Sequence, residues 1–354
     1  MLTFWQNILS VGDRMFEMIK KLTELNGTSG AEHSVREYII SEIKDYADIK
    51  IDNMGNIIAF VRGKKRAAKK VMADAHMDEV GFIITSVTAD GFLKFQTVGG
   101  IETAVLLARR VITERGVKGV ISMKPVHLLS SNEKTKQPDV DSLYIDIGVS
   151  SKEEALKLVN IGETAVFMEG FEPLGSLFVS KAIDDRAGIA ILIDIIKNAE
   201  YDFYAVFSVQ EEVGLRGAKA AAFSVDPLYA VVIESTTAAD IKGVAEEKTV
   251  CNVGSGAVLS FMDRATMYDR GLFEKAKAIA EQNNIPCQTK RAVAGGNNAG
   301  AINVSRGGVK TLAISVPCRY IHSASGVAAK EDIIAVRNLA EQMICLMASG
   351  KIDD

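Results

Sequence analysis

The sequence predicts an α/β protein whose mixed sheet is interrupted by an inserted domain of short β-strands. Apolar runs that end in acidic or histidine residues alternate with helical patterns on both sides of the insert, as in α/β sheets. Between them, residues 80–162 contain short β-rich runs separated by polar turns, which favours a small barrel or sandwich. We therefore expect residues 1–79 and 163–354 to form one domain, with residues 80–162 inserted into it.

Composition and charge exclude several classes of protein. The chain has 354 residues, of which 48% are hydrophobic, enough for a large core. Its net charge of -4 gives no reason to expect nucleic acid or a membrane surface as partner. The four cysteines lack CxxC spacing, which predicts reduced thiols in a cytoplasmic protein. The segment Met1 to Asn7 is a poor signal peptide, and no apolar run is long enough to cross a bilayer.

The first elements follow from periodicity and from end signals. Apolar residues from Met15 to Leu22 recur on one helical face, and Asn26-Gly27 ends that helix. The capping box Ser34-Val35-Arg36-Glu37 predicts a second helix, which continues to about residue 46. Residues 49–52 and 56–61 read as strands, and the basic stretch 62–70 is expected to be a solvated hairpin loop. His33 is assigned to the surface.

A third strand, residues 71–75, leads into His76-Met77-Asp78. The spacing of two places both polar side chains on one face of an extended chain. An imidazole can bind a zinc-like ion, and a carboxylate on its other nitrogen would orient it. The pattern also fits a hydrogen-bonded core histidine with a chance aspartate, so this motif alone decides nothing.

The sequence of the insert predicts several strands but offers few candidate functional residues. Residues 81–87, 92–98, 117–123 and 143–149 are expected strands, whereas residues 101–115 fit either a helix or a strand. His127 falls in this insert and is assigned a structural role, or at most a place near substrate. Ser151 is expected to cap a short helix over residues 152–159.

Ligand-type side chains recur where later apolar strands end. Asp184-Asp185 lies at a strand-to-helix junction, where an N-cap is the alternative interpretation. Glu211-Glu212 closes the strand 201–210, Glu234 is expected to follow the strand 228–233, and His322 follows the strand 311–316. Open α/β sheets place their sites at such strand ends.

Together these positions supply an inventory for two divalent ions. The candidate ligands are two histidines and three carboxylates: His76, Asp184, Glu212, Glu234 and His322. A carboxylate that is shared between two ions would bring them about 3.5–4 Å apart, so that they could hold a water and a carbonyl oxygen. Glu211, adjacent to a ligand but facing away from it, could act as a general base.

The same residues carry a resemblance to the M42 metallo-aminopeptidases, which include glutamyl aminopeptidases and the tetrahedral TET peptidases. The resemblance extends from about residue 13 to the last helix. It is carried by four motifs: Ala75-His76-Met77-Asp78-Glu79-Val80-Gly81-Phe82, Lys181-Ala182-Ile183-Asp184-Asp185-Arg186-Ala187-Gly188, Gln210-Glu211-Glu212-Val213-Gly214-Leu215-Arg216-Gly217-Ala218 and Arg319-Tyr320-Ile321-His322-Ser323.

The resemblance implies a phosphorylase/hydrolase-like catalytic domain with a PDZ-like barrel insert that assists assembly. It implies one metal held by His76, Asp184 and Glu234, and a second held by Asp184, Glu212 and His322. Asp78 would orient His76, and Glu211 would be the base. Zinc or cobalt would be the metal, peptides the substrates, and a homo-oligomer such as a dodecamer the assembly.

The chain departs from the usual family pattern at three places. Glu234 stands where Asp is common, and Asn303 stands where His is frequent. The glycine-rich turn Gly295-Gly296-Asn297-Asn298 often reads Gly-Gly-Thr-Asp, and this turn is expected to shape the substrate pocket.

Three rival functions stay open at this point. The first is another metal-dependent amidohydrolase on the same fold, such as an acylase, a deacetylase or a carboxypeptidase. The second is an endoglucanase, although paired glycosidase acids would have no use for His76 and His322. The third is an inactive assembly protein, against which the complete ligand set argues.

Overall fold

The computed structural model describes residues 11–353. The segment Met1 to Asn7, considered above as a signal peptide, lies outside them. The helices are α1 (Val11–Glu24), α2 (His33–Ile43), α3 (Ser131–Lys134), α4 (Lys152–Leu158), α5 (Ile183–Lys197), α6 (Arg216–Val225), α7 (Arg270–Gln282), α8 (Ala299–Asn303) and α9 (Lys330–Ser349). Within the described part of the chain, no helix combines the length and apolar character needed to cross a bilayer.

The strands occur in three sheets. In chain order they are β1 (Ala47–Ile51), β2 (Ile57–Val61), β3 (Val71–His76), β4 (Gly81–Val87), β5 (Leu93–Val98), β6 (Arg110–Thr113), β7 (Lys118–Met123), β8 (Leu143–Asp146), β9 (Thr164–Phe167), β10 (Glu172–Leu174), β11 (Leu177–Ser180), β12 (Phe203–Ser208), β13 (Tyr229–Thr237), β14 (Ala257–Leu259), β15 (Cys287–Thr289), β16 (Lys310–Cys318) and β17 (Gly326–Ala329).

The central sheet has eight strands in the order β1-β2-β12-β3-β13-β16-β14-β15. Its four middle strands, β12, β3, β13 and β16, are mutually parallel. Their residues are almost wholly buried and rich in Val, Ile and Ala, as expected for strands covered on both faces. The parallel arrangement brings their carboxyl ends to one edge of the sheet.

Helices cover both faces of this sheet. The apolar sides of α1, α2, α5, α7 and α9 contribute to the larger core, and α5 is buried on nearly every side. On the opposite face, α6 and α8 pack small residues such as Ala218, Ala222 and Ala299 against the strands. Burial of this apolar surface on both sides is what makes the layered arrangement stable.

The insert is a closed antiparallel barrel in the order β4-β5-β8-β7-β6-β9. Its core contains Phe82, Phe95 and Phe167, with Phe82 in edge-to-face contact with the other two rings. The predicted fold class, an α/β domain with an inserted β-barrel, is confirmed. The third sheet contains three strands in the order β10-β11-β17.

Several local predictions were wrong or incomplete. Residues 164–167 lie in the part of the chain that was expected to resume the α/β domain, but as β9 they pair with β4 and β6 and close the barrel. The ambiguous residues 101–115 form a short 3-10 turn and then β6. The division of the chain into domains stays a prediction.

Two connections near the amino terminus also differ from expectation. The basic loop 62–70 is not a hairpin, because β12 lies between β2 and β3 in the sheet. Helix α2 begins at His33, so Ser34 is not its cap; Glu32 occupies the cap position without a capping side-chain bond. The Glu32 carboxylate instead accepts hydrogen bonds from Gly30 N and Gln210 N. His33 is exposed, as assigned.

Candidate metal centre and active-site cleft

The five predicted ligands converge at the carboxyl edge of the central sheet. His76 ends β3, Glu212 follows β12, His322 follows β16, and Asp184 opens α5. The fifth, Glu234, was expected just after its strand but lies within β13. Glu234 nevertheless stands level with His76, because Val232, two residues earlier, pairs with Asp74 of the parallel strand β3.

The ligand atoms form two groups around Asp184. His76 Nε2 lies 3.3 Å from Asp184 Oδ1 and 3.3 Å from Glu234 Oε1. His322 Nε2 lies 3.3 Å from Asp184 Oδ2 and 3.3 Å from Glu212 Oε2. Asp184 therefore presents one oxygen to each group, which is the arrangement that a bridging carboxylate requires.

The chemistry of this donor set fits divalent cations. Glu212 Oε1 and Glu234 Oε2 are buried and accept no hydrogen bond. Burial raises the pKa of both carboxyls well above the ordinary value, and the nearby charge of Asp184 adds to it. Buried, converging and unsatisfied carboxylates are costly unless a cation is present. These residues could hold two ions through nitrogen and oxygen ligands.

Both imidazoles are oriented through their other nitrogen. His76 Nδ1 lies 3.0 Å from the backbone oxygen of Asp78, closer than the 3.4 Å to Asp78 Oδ1. His322 Nδ1 lies 3.0 Å from the backbone oxygen of Gly100, next to the barrel. Because a carbonyl oxygen only accepts, each Nδ1 carries the hydrogen and each Nε2 is left free for a cation.

Asp78 organises the segment that carries the two glutamates. Its carboxylate is fully buried and accepts hydrogen bonds from Glu211 N (2.9 Å), Glu212 N (3.1 Å) and Ser29 Oγ (2.6 Å). Burial acts to raise the pKa of Asp78, but these bonds and His76 outweigh it and lower the pKa. The predicted contact with His76 thus runs mainly through the backbone, and the carboxylate fixes the turn after β12.

Glu211 was expected to face away from Glu212, but both residues are half-buried and both line the cleft. One of its carboxylate oxygens lies within 4.8 Å of ligand atoms of His76 and Glu212. Burial raises the pKa of Glu211 to about 7. A carboxyl group that titrates near neutrality can both accept and return a proton.

The structure also reveals supporting residues that sequence reasoning missed. Asp185 accepts a hydrogen bond from His76 N at 3.2 Å and another from Gly188 N at 3.1 Å. Beneath the junction, Glu79 pairs with Lys181 Nζ at 2.8 Å and with Arg186 Nη2 at 3.1 Å, all three side chains being buried. These residues belong to the motifs quoted above. Their contacts, however, join segments that are far apart in the chain, so the local sequence does not predict them.

The glycine-rich turn has two distinct parts. Gly295, Gly296 and Asn297 line a cleft that also contains the candidate ligands. Asn298 is fully buried and faces away from this cleft, donating hydrogen bonds to Asp74 Oδ2 (2.7 Å) and Ser208 Oγ (2.9 Å). Asn298 was predicted to contact substrate, but in this structure it supports the strands beneath the site.

The cleft has two lobes that meet at His322 and Ile321. The first lobe, which we call the inner lobe, has a volume of about 420 Å³ and contains Glu211, Glu234 and the glycine-rich turn. The second, the barrel-side lobe, has a volume of about 580 Å³ and lies against Val105 and Arg109. His127, in contrast, is exposed on a 3-10 turn of the barrel and lines neither lobe.

Comparisons with known proteins agree with this fold. Together with the fold, they place the chain in the class of peptide hydrolases. The chain belongs to the M42 glutamyl aminopeptidase family, which it matches over residues 55–339.

Two curated relatives span nearly the whole chain. A putative aminopeptidase of Acetivibrio thermocellus is 39% identical over 335 residues, covering 94% of this chain and 98% of its own. The lysyl aminopeptidase of Pyrococcus furiosus is 34% identical over 341 residues, covering 93% and 96%.

Solved structures give the same picture. The TET1 peptidase of Pyrococcus horikoshii, described as assembling into a tetrahedron or a large octahedral shell, is 38% identical with a TM-score of 0.81, covering 93% of this chain and 99% of its own. A Thermotoga maritima protein described as an endoglucanase is 33% identical with a TM-score of 0.78, covering 94% and 97%. The predicted family and the prediction of a peptide-hydrolysing enzyme are confirmed.

Proposed function

We propose that this chain is a two-metal aminopeptidase that removes N-terminal residues from peptides. The observation that carries the proposal is the position of Asp184, whose two oxygens each lie 3.3 Å from a different histidine nitrogen. One ion would be held by His76, Asp184 and Glu234, and the other by Asp184, Glu212 and His322. When bound, such ions polarise the scissile carbonyl and activate water at neutral pH.

Glu211 is the proposed general base. Its carboxylate accepts the proton of the attacking water and then returns it to the departing amine. Three features support this role: its side chain is on the cleft, its pKa is about 7, and its backbone N–H is fixed by Asp78. Asp78 acts as a positioning residue, because its contacts fix the positions of Glu211, Glu212 and His76 relative to one another.

Acidic groups around the inner lobe favour a substrate with a free amino terminus. Glu211, Glu212 and Glu234 all line this lobe, so an α-ammonium group placed there would be stabilised. An acylase or deacetylase takes a blocked amine, which carries no charge for these acids to stabilise. An endoglucanase site needs two acids that flank a sugar bond, whereas here the acids gather around two histidines.

Metal, assembly and location are further parts of the proposal. The mixed nitrogen and oxygen donors suit zinc or cobalt. A homo-oligomer such as a dodecamer is supported by the assembly described for the TET1 relative and by exposed Val126 and Leu128 on the barrel. A cytoplasmic location is consistent with four free cysteines.

The test is to replace Glu211 by Gln and to assay aminoacyl-p-nitroanilides with zinc or cobalt added back to metal-stripped protein. We expect Glu211→Gln to retain both metals and to lose about 10²- to 10⁴-fold in kcat. The matched control is Glu281→Gln, an exposed glutamate on α7, which should behave as the wild type.

The substrate panel distinguishes the rival functions. N-acetylated versions of each substrate and carboxymethylcellulose are included. Cleavage of free-amine substrates alone supports the aminopeptidase. Cleavage of blocked substrates or of the polysaccharide instead would overturn it, and near-normal activity of Glu211→Gln would overturn the role of the base.

A further inference from the structure

The strand that carries Glu234 extends past its neighbour on one side. The pairing of β13 with β3 ends at Val232, opposite Asp74, whereas the pairing with β16 continues to Thr237, opposite Cys318. Among residues 11–353, no strand pairs with the β3 side of β13 beyond that point. We call residues 235–237, where one side of the strand is left unpaired, the open edge of β13.

The backbone groups that face the open side can be identified from two hydrogen bonds. Ala238 N donates to Cys318 O at 2.9 Å, so Ala238 directs its backbone groups towards β16. Because these directions alternate along a paired strand, Thr237 and Ser235 direct theirs to the opposite, open side. Ser235 agrees with this alternation, since its N–H donates to the Glu234 carboxylate at 3.1 Å and not to a strand.

Two backbone groups of the open edge have no hydrogen-bond partner within the part of the chain that the structure describes. They are the N–H of Thr237 and the C=O of Ser235. The C=O of Thr237, in contrast, accepts a bond from the Cys251 thiol at 3.4 Å. An unpaired donor and an unpaired acceptor on a strand edge can be satisfied by the main chain of an added peptide.

The open edge lies in the cleft beside the candidate metal centre. Ser235 lines the inner lobe together with the candidate ligand Glu234. Thr237 is exposed and lines both the inner lobe and the barrel-side lobe, as does Gly100. The edge therefore extends from the candidate ligands to the place where the two lobes meet.

The direction of a bound peptide follows from the proposed chemistry. Its amine lies with the acids of the inner lobe, so the rest of the chain leaves towards the barrel-side lobe. Strand β13 runs in the same sense, from Glu234 to Thr237, which makes the peptide parallel to it. In a parallel pair, one peptide residue donates to the earlier C=O and accepts from the N–H two residues later. These are the two free groups, of Ser235 and Thr237.

We infer that Ser235 and Thr237 form a main-chain binding site for the second residue of the peptide, which follows the scissile bond. This inference rests on the proposed aminopeptidase function. Ser235 directly follows a candidate metal ligand, and an extended residue spans only about 3.3 Å, so the second residue is the one within reach. Its C=O accepts from Thr237 N–H, and its N–H donates to Ser235 C=O. Such a site binds the common backbone and leaves the second side chain unselected, except that proline lacks the N–H.

The experiment changes the acceptor strength of a single substrate carbonyl. Full-length, metal-loaded protein is assayed with an aminoacyl-alaninamide whose first residue is the one preferred among the p-nitroanilides. The matched substrate is its thioamide, in which sulfur replaces the carbonyl oxygen of the second residue and accepts hydrogen bonds more weakly. We expect kcat/KM for the amide to exceed that for the thioamide by roughly 3- to 10-fold, as for one ordinary hydrogen bond. A wild-type ratio of about one overturns the inference without requiring any variant.

Two variants test whether Thr237 is the donor. Thr237→Pro removes the N–H at a position where that N–H takes no part in the pairing with β16, so the strand can accept proline there. The amide/thioamide ratio should then fall to about one. Thr237→Ala keeps the N–H and should keep the wild-type ratio. A wild-type ratio in Thr237→Pro would mean that another group binds the carbonyl, and the inference would be wrong.

A backbone ester removes the same N–H without the proline ring. It is made by incorporating the α-hydroxy analogue of threonine at position 237, which keeps the side chain. A ratio of about one in this protein supports the inference, and the wild-type ratio overturns it. Cleavage of free-amine substrates with equal kcat/KM for amide and thioamide overturns the inference alone. Absence of cleavage of every free-amine substrate overturns the proposed function.

Discussion

Metal uptake by this site should be strongly pH-dependent, because its ligands hold protons when no metal is bound. Burial opposes the charged form of His76, but Glu234, Asp184 and Asp78 outweigh it and raise its pKa well above the ordinary value. In the same way Asp184 and Glu212 raise the pKa of His322 to about 9. Burial raises the pKa of Glu212 and Glu234. Each pKa is raised, so the proton-bound form of each group is favoured at neutral pH.

The number of protons that metal binding displaces follows from the protonation of these four groups. Filling both sites must remove the two imidazolium protons and up to two carboxyl protons, roughly two to four protons per subunit. Each displaced proton makes apparent metal affinity rise about tenfold per pH unit, so one to two protons per site give about 10- to 100-fold. The sign is fixed: affinity rises with pH and is lost as pH falls.

Calorimetric titration of metal-stripped protein with zinc or cobalt measures both the number of protons released and the change of metal affinity with pH. Experiments in buffers of different ionisation enthalpy give the number of protons released, and titrations at about pH 6.5 and about pH 7.5 give the change in affinity. His322→Gln should release fewer protons and bind one ion fewer, whereas His127→Gln, at an exposed histidine of the barrel, should match the wild type. Fewer than one proton released, or an affinity that does not change with pH, would refute the reasoning.

Two further predictions concern side chains that support the site. Glu79→Gln leaves Lys181 and Arg186 buried without their carboxylate partner. This should lower the free energy of unfolding, measured by chemical denaturation, by about 3–5 kcal/mol. A loss below about 1 kcal/mol would count against a stabilising role for this network. Asp240→Asn removes the negative charge and one of the two oxygens that accept 2.7 Å bonds from Arg319, which hold the loop that carries the candidate ligand His322. We therefore expect kcat/KM to fall about fivefold with the fold intact. Unchanged kcat/KM and unchanged metal content in that variant would mean that the loop is held by other contacts.

Sequence reasoning was most successful where a single strand carries its own signal. The middle strands of the sheet are continuous apolar runs with ligand-type residues near their carboxyl ends. These two features are enough to place His76, Glu212 and His322 at one edge of the sheet. The predicted strand ends were less accurate, because β13 extends to Thr237 and includes Glu234. A polar residue within a strand ends the apolar pattern without ending the strand.

Long-range pairing was not accessible from local pattern. Nothing in the residues of β2 and β3 indicates that β12, far along the chain, lies between them. Nothing in residues 164–167 indicates closure of a barrel rather than return to the main sheet.

The backbone around the site adopts conformations that local preferences disfavour. Ala182, Gln210 and His322 all have positive φ, of 52°, 55° and 59°. Such left-handed non-glycine residues are costly and persist only where surrounding contacts determine them. Here each of these residues lies at or beside a segment that carries a candidate ligand, so the backbone strain occurs where those side chains are oriented.

The contacts that hold these segments come from a second set of acids, distinct from the candidate ligands. Asp185 accepts from the backbone of His76, Glu32 from that of Gln210, and Asp78 from those of both Glu211 and Glu212. Because these carboxylates satisfy the backbone N–H groups, Glu212 Oε1 and Glu234 Oε2 are left without a hydrogen bond, although Glu234 Oε1 accepts one from Ser235 N at 3.1 Å. Replacing a supporting acid should therefore disturb the geometry of the centre while leaving every ligand present. This separation accounts for the number of acidic residues at one edge of the sheet: one set could hold a cation, and the other fixes the backbone segments that carry the first.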